Sequence, residues 1–252
     1  MTRAVRAEWT KLRTARGAGP LLLLTIVLTV AVGALLAASL TCPWGRCTQD
    51  AVSHAFGGLR AGQAGVALLG VLATGGEYAT GMIATTLAAV PRRGRVLAAK
   101  AAVVAGLTAV AGVVAVLGSG LAGRLILPAR GYPPLPVDGP ALRAAAGSVL
   151  CLALVGLLAV GVAMAVRDPA ASIATVLGLL YLLPLLPHLV PDPGLSRVLW
   201  ALAPMNAGLA VQATTAAAGL PVTPWGGLGI LTAWAAGALL AGWLLLRSRD
   251  AR

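Results

Sequence analysis

Charge is what this chain has least of. Only 10% of its 252 residues are Asp, Glu, Lys or Arg, whereas a water-soluble domain carries about a quarter. Aromatic residues make up 4%, Phe occurs once, and there are 2 His and 3 Cys. Lysine is nearly absent, occurring only as Lys11 and Lys100. These scarcities exclude chemistry. Neither lysine follows a glycine, so there is no G-x-x-x-x-G-K-[ST] phosphate loop and no ATP hydrolysis by that route. His54 and His188 both fall near one side of the expected membrane domain and form no cluster, so no metal or haem site is expected. No Ser, His and carboxylate set lies at membrane depth, which sets aside an intramembrane protease and leaves no catalytic residue to name.

What is abundant is hydrocarbon. Hydrophobic residues are 59% of the chain, and the mean hydropathy is +0.91. Apolar runs of about 20 residues recur, each able to cross about 30 Å of bilayer as a helix. The expectation is an all-α integral membrane protein, one transmembrane domain over residues 1–252. Its six spans fall near 20–40, 62–75, 101–122, 144–166, 170–190 and 225–246. The second is short unless it continues through Tyr78 and Met82. Asp168 can cap the fifth span and Pro169 suits its first turn, giving a tight reversal; Pro184 and Pro187 predict a bend further on. Residues 191–224 read as an outer re-entrant region. Pro204, Asn206 and Gln212 make 199–220 a poor lipid-facing span, so a broken, partly inserted helix shielded by its neighbours is expected before span six.

Residues 1–19 precede the first span. Within them 3–16 predict an amphipathic helix, with Val5, Trp9 and Leu12 on one stripe and Arg3, Arg6, Thr10 and Arg13 on another. Such a helix lies in the headgroup layer with its basic groups toward anionic lipid. The apolar run from 21 to 40 exceeds the roughly 7–15 residues of a signal-peptide core, so it reads as a retained span. The net charge of +12 does not point to nucleic acid, because the basic residues sit in short loops between apolar runs rather than on one folded face. On the six-span plan, 13 of them lie on the side of the N-terminus and 6 on the other. The positive-inside rule then places both termini in the cytoplasm of a plasma-membrane, multi-pass protein. A seventh span at 199–220 would put the basic C-terminal tail outside.

As drawn, no span contains Asp, Glu, Lys or Arg. Ion-coupled transporters bury such residues as relays, so a transporter built this way would draw its energy from an ATPase docked on a cytoplasmic loop. The candidate dock is residues 77–98, between spans two and three. Glu77 and Tyr78 open it, Gly81 follows, and Arg92 and Arg93 close it. Glu77 is expected at a helix start, facing the positive end of the dipole. Ile83, Leu87 and Val90 repeat at i, i+4 and i+7 as an apolar ridge for a partner's groove.

With Glu77-Tyr78-Ala79-Thr80-Gly81-Met82-Ile83, Thr85-Thr86-Leu87 and Pro91-Arg92-Arg93, the chain resembles the membrane subunits of ATP-binding-cassette exporters of the type-2 class, particularly the small permeases of high-GC Gram-positive bacteria. Arg6-Ala7-Glu8-Trp9-Thr10-Lys11-Leu12 is similar to that family's interfacial helix. The resemblance implies that 77–98 is a cytoplasmic coupling helix that passes the closing motion of a separate ATPase subunit to the spans. ATP and magnesium would sit in that partner. A second permease copy or a paralogue would complete a dimer, and the cargo would be a peptide, a drug or antibiotic, or a lipid-like molecule. A stand-alone transporter, and an assembly or immunity factor without an ATPase, remain as other readings.

Cys42 and Cys47 flank Pro43-Trp44-Gly45-Arg46 on the expected outer side, where a small-loop disulfide is one option. Cys151, alone in mid-span, reads as packing. Trp44, Trp225 and Trp243 fall near span ends, where indoles anchor. Gly156 with Gly161, and Gly237 with Gly242, permit close helix contacts without matching a four-residue spacing.

Overall fold

The computed structural model describes residues 2–15, 17–41, 49–89, 93–215 and 219–248. Among them every regular element is a helix. Besides short 3-10 turns at Pro128–Arg130 and Ala210–Gln212, these are, in chain order, α1 (Thr2–Thr14), α2 (Ala18–Ser39), α3 (Ala51–Ala55), α4 (Leu59–Ala79), α5 (Met82–Ala89), α6 (Arg93–Ile126), α7 (Gly139–Val166), α8 (Pro169–Leu189), α9 (Pro193–Leu202), α10 (Pro204–Leu209) and α11 (Pro224–Ser248). Five of them, α2, α6, α7, α8 and α11, are long and apolar enough to cross a membrane. α4 has the length, about 31 Å at 1.5 Å per residue, but is not among those five.

α7 is the central post. It packs against α4, α6, α8 and α11, and Cys151, Leu152, Val155, Leu158, Ala159 and Ala163 are buried along it. Its start is capped by the Asp138 carboxylate, which accepts from Ala141 N at 2.8 Å, with Pro140 in the first turn. It ends at Arg167, whose φ of 66° breaks the helix. The reversal into α8 follows at once, with Asp168 accepting from Ala171 N at 2.7 Å. α8 is not uniform: Gly178–Leu182 widen into a π turn and Leu183–Leu185 tighten, around Pro184. A proline nitrogen cannot donate to the helical ladder, which accounts for the disturbance. Residues 191–215 form a broken segment, with α9 and α10 meeting at Ala203 and with Ala207 to Gln212 buried against the bundle.

Small residues let the helices approach closely. Gly62 and Gly65 of α4 lie against Thr29 and Thr25 of α2, where a Cβ would meet the threonine hydroxyls. Those hydroxyls are satisfied inside α2, donating to Thr25 O and Leu21 O. Gly58, which precedes α4, and Gly62 are four residues apart, and both lie against Thr29 of α2, the close approach that such small-residue spacing permits. Between α7 and α11, a Cβ on Gly161 would stand 2.5 Å from Leu239 N, and one on Gly242 would stand 2.9 Å from Gly161 O. One member of each pair singled out in sequence thus meets the other pair's member across the interface. By contrast Leu23, Leu24, Val27 and Leu35 of α2, and Val110, Leu117, Leu121 and Leu125 of α6, are exposed. Exposed side chains of this kind on apolar helices face hydrocarbon in a bilayer.

A buried ring of four charges as the candidate functional site

The segment 77–98 is not one helix. Glu77 and Tyr78 complete the last turns of α4, Thr80 caps it, and Gly81 turns the chain with φ +70° into α5. α6 then begins at Arg93, eight residues before the expected third span. Two expectations are corrected here. Glu77 does not open a helix and does not face the positive end of a dipole; it stands near the carbonyl end of α4. Nor are the helices free of charge: Glu77 lies in α4 and Lys100 in α6, exposed only 6% and 1%. Both expectations failed because the helices run past the apolar windows that defined the spans.

Glu77 tolerates its position because two lysines surround it. Lys100 Nζ is 2.7 Å from Glu77 Oε1 and 2.7 Å from Glu8 Oε2; Lys11 Nζ is 2.8 Å from Glu77 Oε1 and 2.8 Å from Glu8 Oε1. The four groups close a ring of alternating sign that joins α1, α4 and α6. The ammonium protons are fully used. Lys100 also donates to Ala73 O at 3.2 Å, and Lys11 donates to Thr86 Oγ1 of α5 at 3.1 Å. A lysine suits such a corner, since its compact ammonium offers three donors while a guanidinium is a planar fork. Glu77 Oε2 is buried and accepts no hydrogen bond.

Burial opposes the charge on Lys11, but hydrogen bonds and Coulombic attraction from Glu77 and Glu8 outweigh it, and its pKa lies above the ordinary lysine value. Taking Glu8, Glu77 and Lys100 out of water is costly, and only mutual pairing, with the partly exposed Lys11, makes it tolerable. Removing one member leaves the other three with an unbalanced charge.

The ring uses every lysine and every glutamate of the chain, two of each, while the remaining basic residues are arginines and the remaining acids are aspartates. Glu8, Lys11 and Lys100 were not recognised as site residues from sequence. That partition was the available signal. Beside the ring, Ala4, Ala7, Glu8, Lys11, Met82, Thr85, Thr86, Val96 and Ala99 line a cleft of about 270 Å³ between α1, α5 and α6.

Other expected site residues are dispersed. The Tyr78 hydroxyl donates to Met164 Sδ at 3.7 Å, and the Arg167 guanidinium lies 5.8 Å from the centre of its ring. Ile83 is buried in the bundle, so it is not offered to a partner, whereas Met82 beside it is exposed. Leu87 falls in α5 and Arg93 begins α6. Val90, Arg92, Cys42 and Cys47 lie outside the described residues. On α1, Leu12 is buried and Val5 packs beside it, while Trp9 is 46% exposed. Glu8 and Lys11 occupy the protein-facing side of the helix, which turns Trp9 away from it. Cys151 is buried and accepts from Gln63 Nε2 at 3.4 Å. Among the described residues no group of three or more His, Cys, Asp or Glu could hold a metal ion.

Another buried carboxylate, Asp50, organises the other end of the bundle. Asp50 caps α3 through Ser53 N and reaches across to accept from Thr214 N, Thr214 Oγ1 and Thr215 N at 2.6–3.0 Å. Burial alone would raise its pKa, but these hydrogen bonds hold it below the ordinary carboxylate value.

The helices and their exposed apolar faces define a multi-pass, all-helical membrane protein. No family model matches the chain, and no curated protein matches it.

Proposed function

We propose that this chain is the membrane subunit of an ATP-driven exporter, coupled to a separate ATP-hydrolysing subunit that docks on α5. The observation that carries the reading is the junction around α5. A short helix between α4 and α6 is linked by Lys11 to a charge ring joining α1, α4 and α6. Force applied to α5 would reach three helices through a stiff electrostatic knot rather than through a slack loop. On this reading α4 also crosses the membrane, as the second of six spans in chain order, both termini and α5 are cytoplasmic, and two copies, or a copy and a paralogue, enclose the export path. The chain itself hydrolyses nothing. The test is purification of the tagged chain in mild detergent from its own cells. A co-purifying, magnesium-dependent ATPase, absent when α5 is deleted, is expected; a clean chain without ATPase that still transports in liposomes would overturn the reading.

One observation favours a second reading, a stand-alone ion-coupled transporter. Glu77 and Lys100 are buried ionisable residues of long helices, the kind of group such transporters use as relays. Their mutual neutralisation near a helix end fits a structural knot better than a relay. Substrate movement in liposomes driven by a proton or sodium gradient alone would establish it.

A further inference from the structure

We infer that the apolar groove between α8 and α11 is a lipid site, holding one acyl chain of an anionic phospholipid with its headgroup at the Arg167 end. The groove encloses about 710 Å³ over the face of α7, with the buried Leu158 and Val162 as its floor. Its chemistry selects the occupant. Among the described residues that line it, Thr175 and Trp234 alone carry polar side-chain atoms. The Thr175 hydroxyl donates to Ala171 O at 2.7 Å, and the Trp234 indole N–H donates to Leu202 O at 2.9 Å. Neither donor is left to hold a polar ligand. All three helices around the groove are long and apolar enough to cross a membrane, so it opens to hydrocarbon.

Depth and charge narrow that hydrocarbon to a phospholipid chain. Arg167 follows the lining residue Val166 and donates to Leu245 O of α11 at 2.9 Å, which sets the two positions level. From Leu245 to Trp234 is 11 residues, about 16 Å of helix at 1.5 Å per residue. One leaflet of a hydrocarbon core about 30 Å thick has nearly that depth. There α9 ends against α11, and Leu202 with Trp234 walls off the groove. A slot one leaflet deep and closed near the midplane takes a chain that enters from the headgroup side. Its mouth is basic. Asp168, whose carboxylate caps α8, offsets the charge of Arg167, and the exposed Arg247, stacked on the Trp243 ring, is the excess cation. A negative headgroup complements that excess.

The site involves no ATPase and no cargo, so its test uses the purified full chain. The chain is reconstituted in vesicles of phosphatidylglycerol and phosphatidylcholine in equal parts, extracted in mild detergent and weighed by native mass spectrometry. One phospholipid per chain should be retained, with phosphatidylglycerol favoured about fivefold, the ratio that one basic residue near an anionic lipid supplies. Gly237 lines the groove, and a Cβ there meets nothing within 4 Å. Gly237→Trp fills the slot from its open side and should lose the lipid at an unchanged unfolding temperature. Gly229→Trp, equally open on α11 but outside the groove, should keep it. Should Gly237→Trp not fold, Gly237→Leu takes its place. Arg247→Gln should keep a lipid and lose the preference for phosphatidylglycerol. A parent that retains no lipid overturns the site, as does a Gly237→Trp variant that retains as much as the parent. A preference absent from the parent, or one that survives Arg247→Gln, overturns the placing of the headgroup. A lipid-free dimer that Gly237→Trp breaks would also overturn the site, because a second copy would then fill the groove.

Discussion

Lys100 Nζ and Glu77 Oε1 stand 2.7 Å apart, joining α6 to α4 where both side chains are cut off from water. The pair flanks the segment that reads in sequence as a cytoplasmic coupling helix. Its burial changes what a substitution at either position should do, because each charge is one of the two that compensate the other.

Lys100→Met and Glu77→Gln should therefore each destabilise the chain, by up to about 3–5 kcal/mol, the usual cost of removing one partner from a buried ion pair. The double variant should recover much of that loss, since Glu8 and Lys11 remain as a neutral pair. Thermal unfolding in detergent measures all three. Additive losses in the double variant would show that the two residues are not coupled.

Asp50 gives a pH signature at the opposite end. Its pKa is depressed in the folded chain, so its stabilising contribution is fully present above the unfolded carboxylate value of about 3.9. That contribution is lost as pH falls through the lower folded value. The unfolding temperature of the parent should thus exceed that of Asp50→Asn by a constant margin from pH 8 to pH 5, then converge with it below about pH 4. A margin that changes between pH 6 and pH 8 would point to another group.

The spans were legible in sequence wherever apolar length alone decides, as in α2, α7 and α11. The Asp168–Pro169 reversal was legible too, because a cap and a first-turn proline are local chemistry. What failed was the edge of each helix. A hydropathy window ends at the first charge, yet α4 continues through Glu77 and α6 starts before Lys100, since a charge ends a span only if it must reach water. Whether it must depends on partners far along the chain: Glu8 is 92 residues from Lys100. No local pattern contains that pairing.

Gly161 and Gly237 should respond in opposite ways to the same change. A Cβ on Gly161 would press on the backbone of Ala238 and Leu239, whereas one on Gly237 meets nothing within 4 Å. Gly161→Ala should cost about 1–3 kcal/mol by overpacking the α7–α11 contact. Gly237→Ala should leave stability unchanged or raise it slightly through helix propensity. Unfolding temperatures of the two variants decide this, and equal effects would mean that the helices do not meet where described.

Docking and integrity separate on α5, where neighbouring residues face different ways. Met82 is exposed at 46%, while Ile83 beside it is buried. If a partner ATPase sits on this turn, Met82→Glu puts a charge at the contact without touching the bundle, so the chain should fold, accumulate and unfold at the parent temperature while losing the ATPase. Gly81→Leu should act similarly: the left-handed conformation costs a branched side chain roughly 1–2 kcal/mol, and the added bulk lies beside the docking turn. Glu77→Gln should behave differently, losing thermal stability even in the isolated chain. The measurement pairs ATPase recovered on purification with unfolding temperature for each variant. Loss of the ATPase by Met82→Glu and Gly81→Leu at unchanged or nearly unchanged stability supports docking on α5. If both retain the ATPase and still transport, α5 is not the dock, and the ring must be explained as a brace that holds α1 against the bundle.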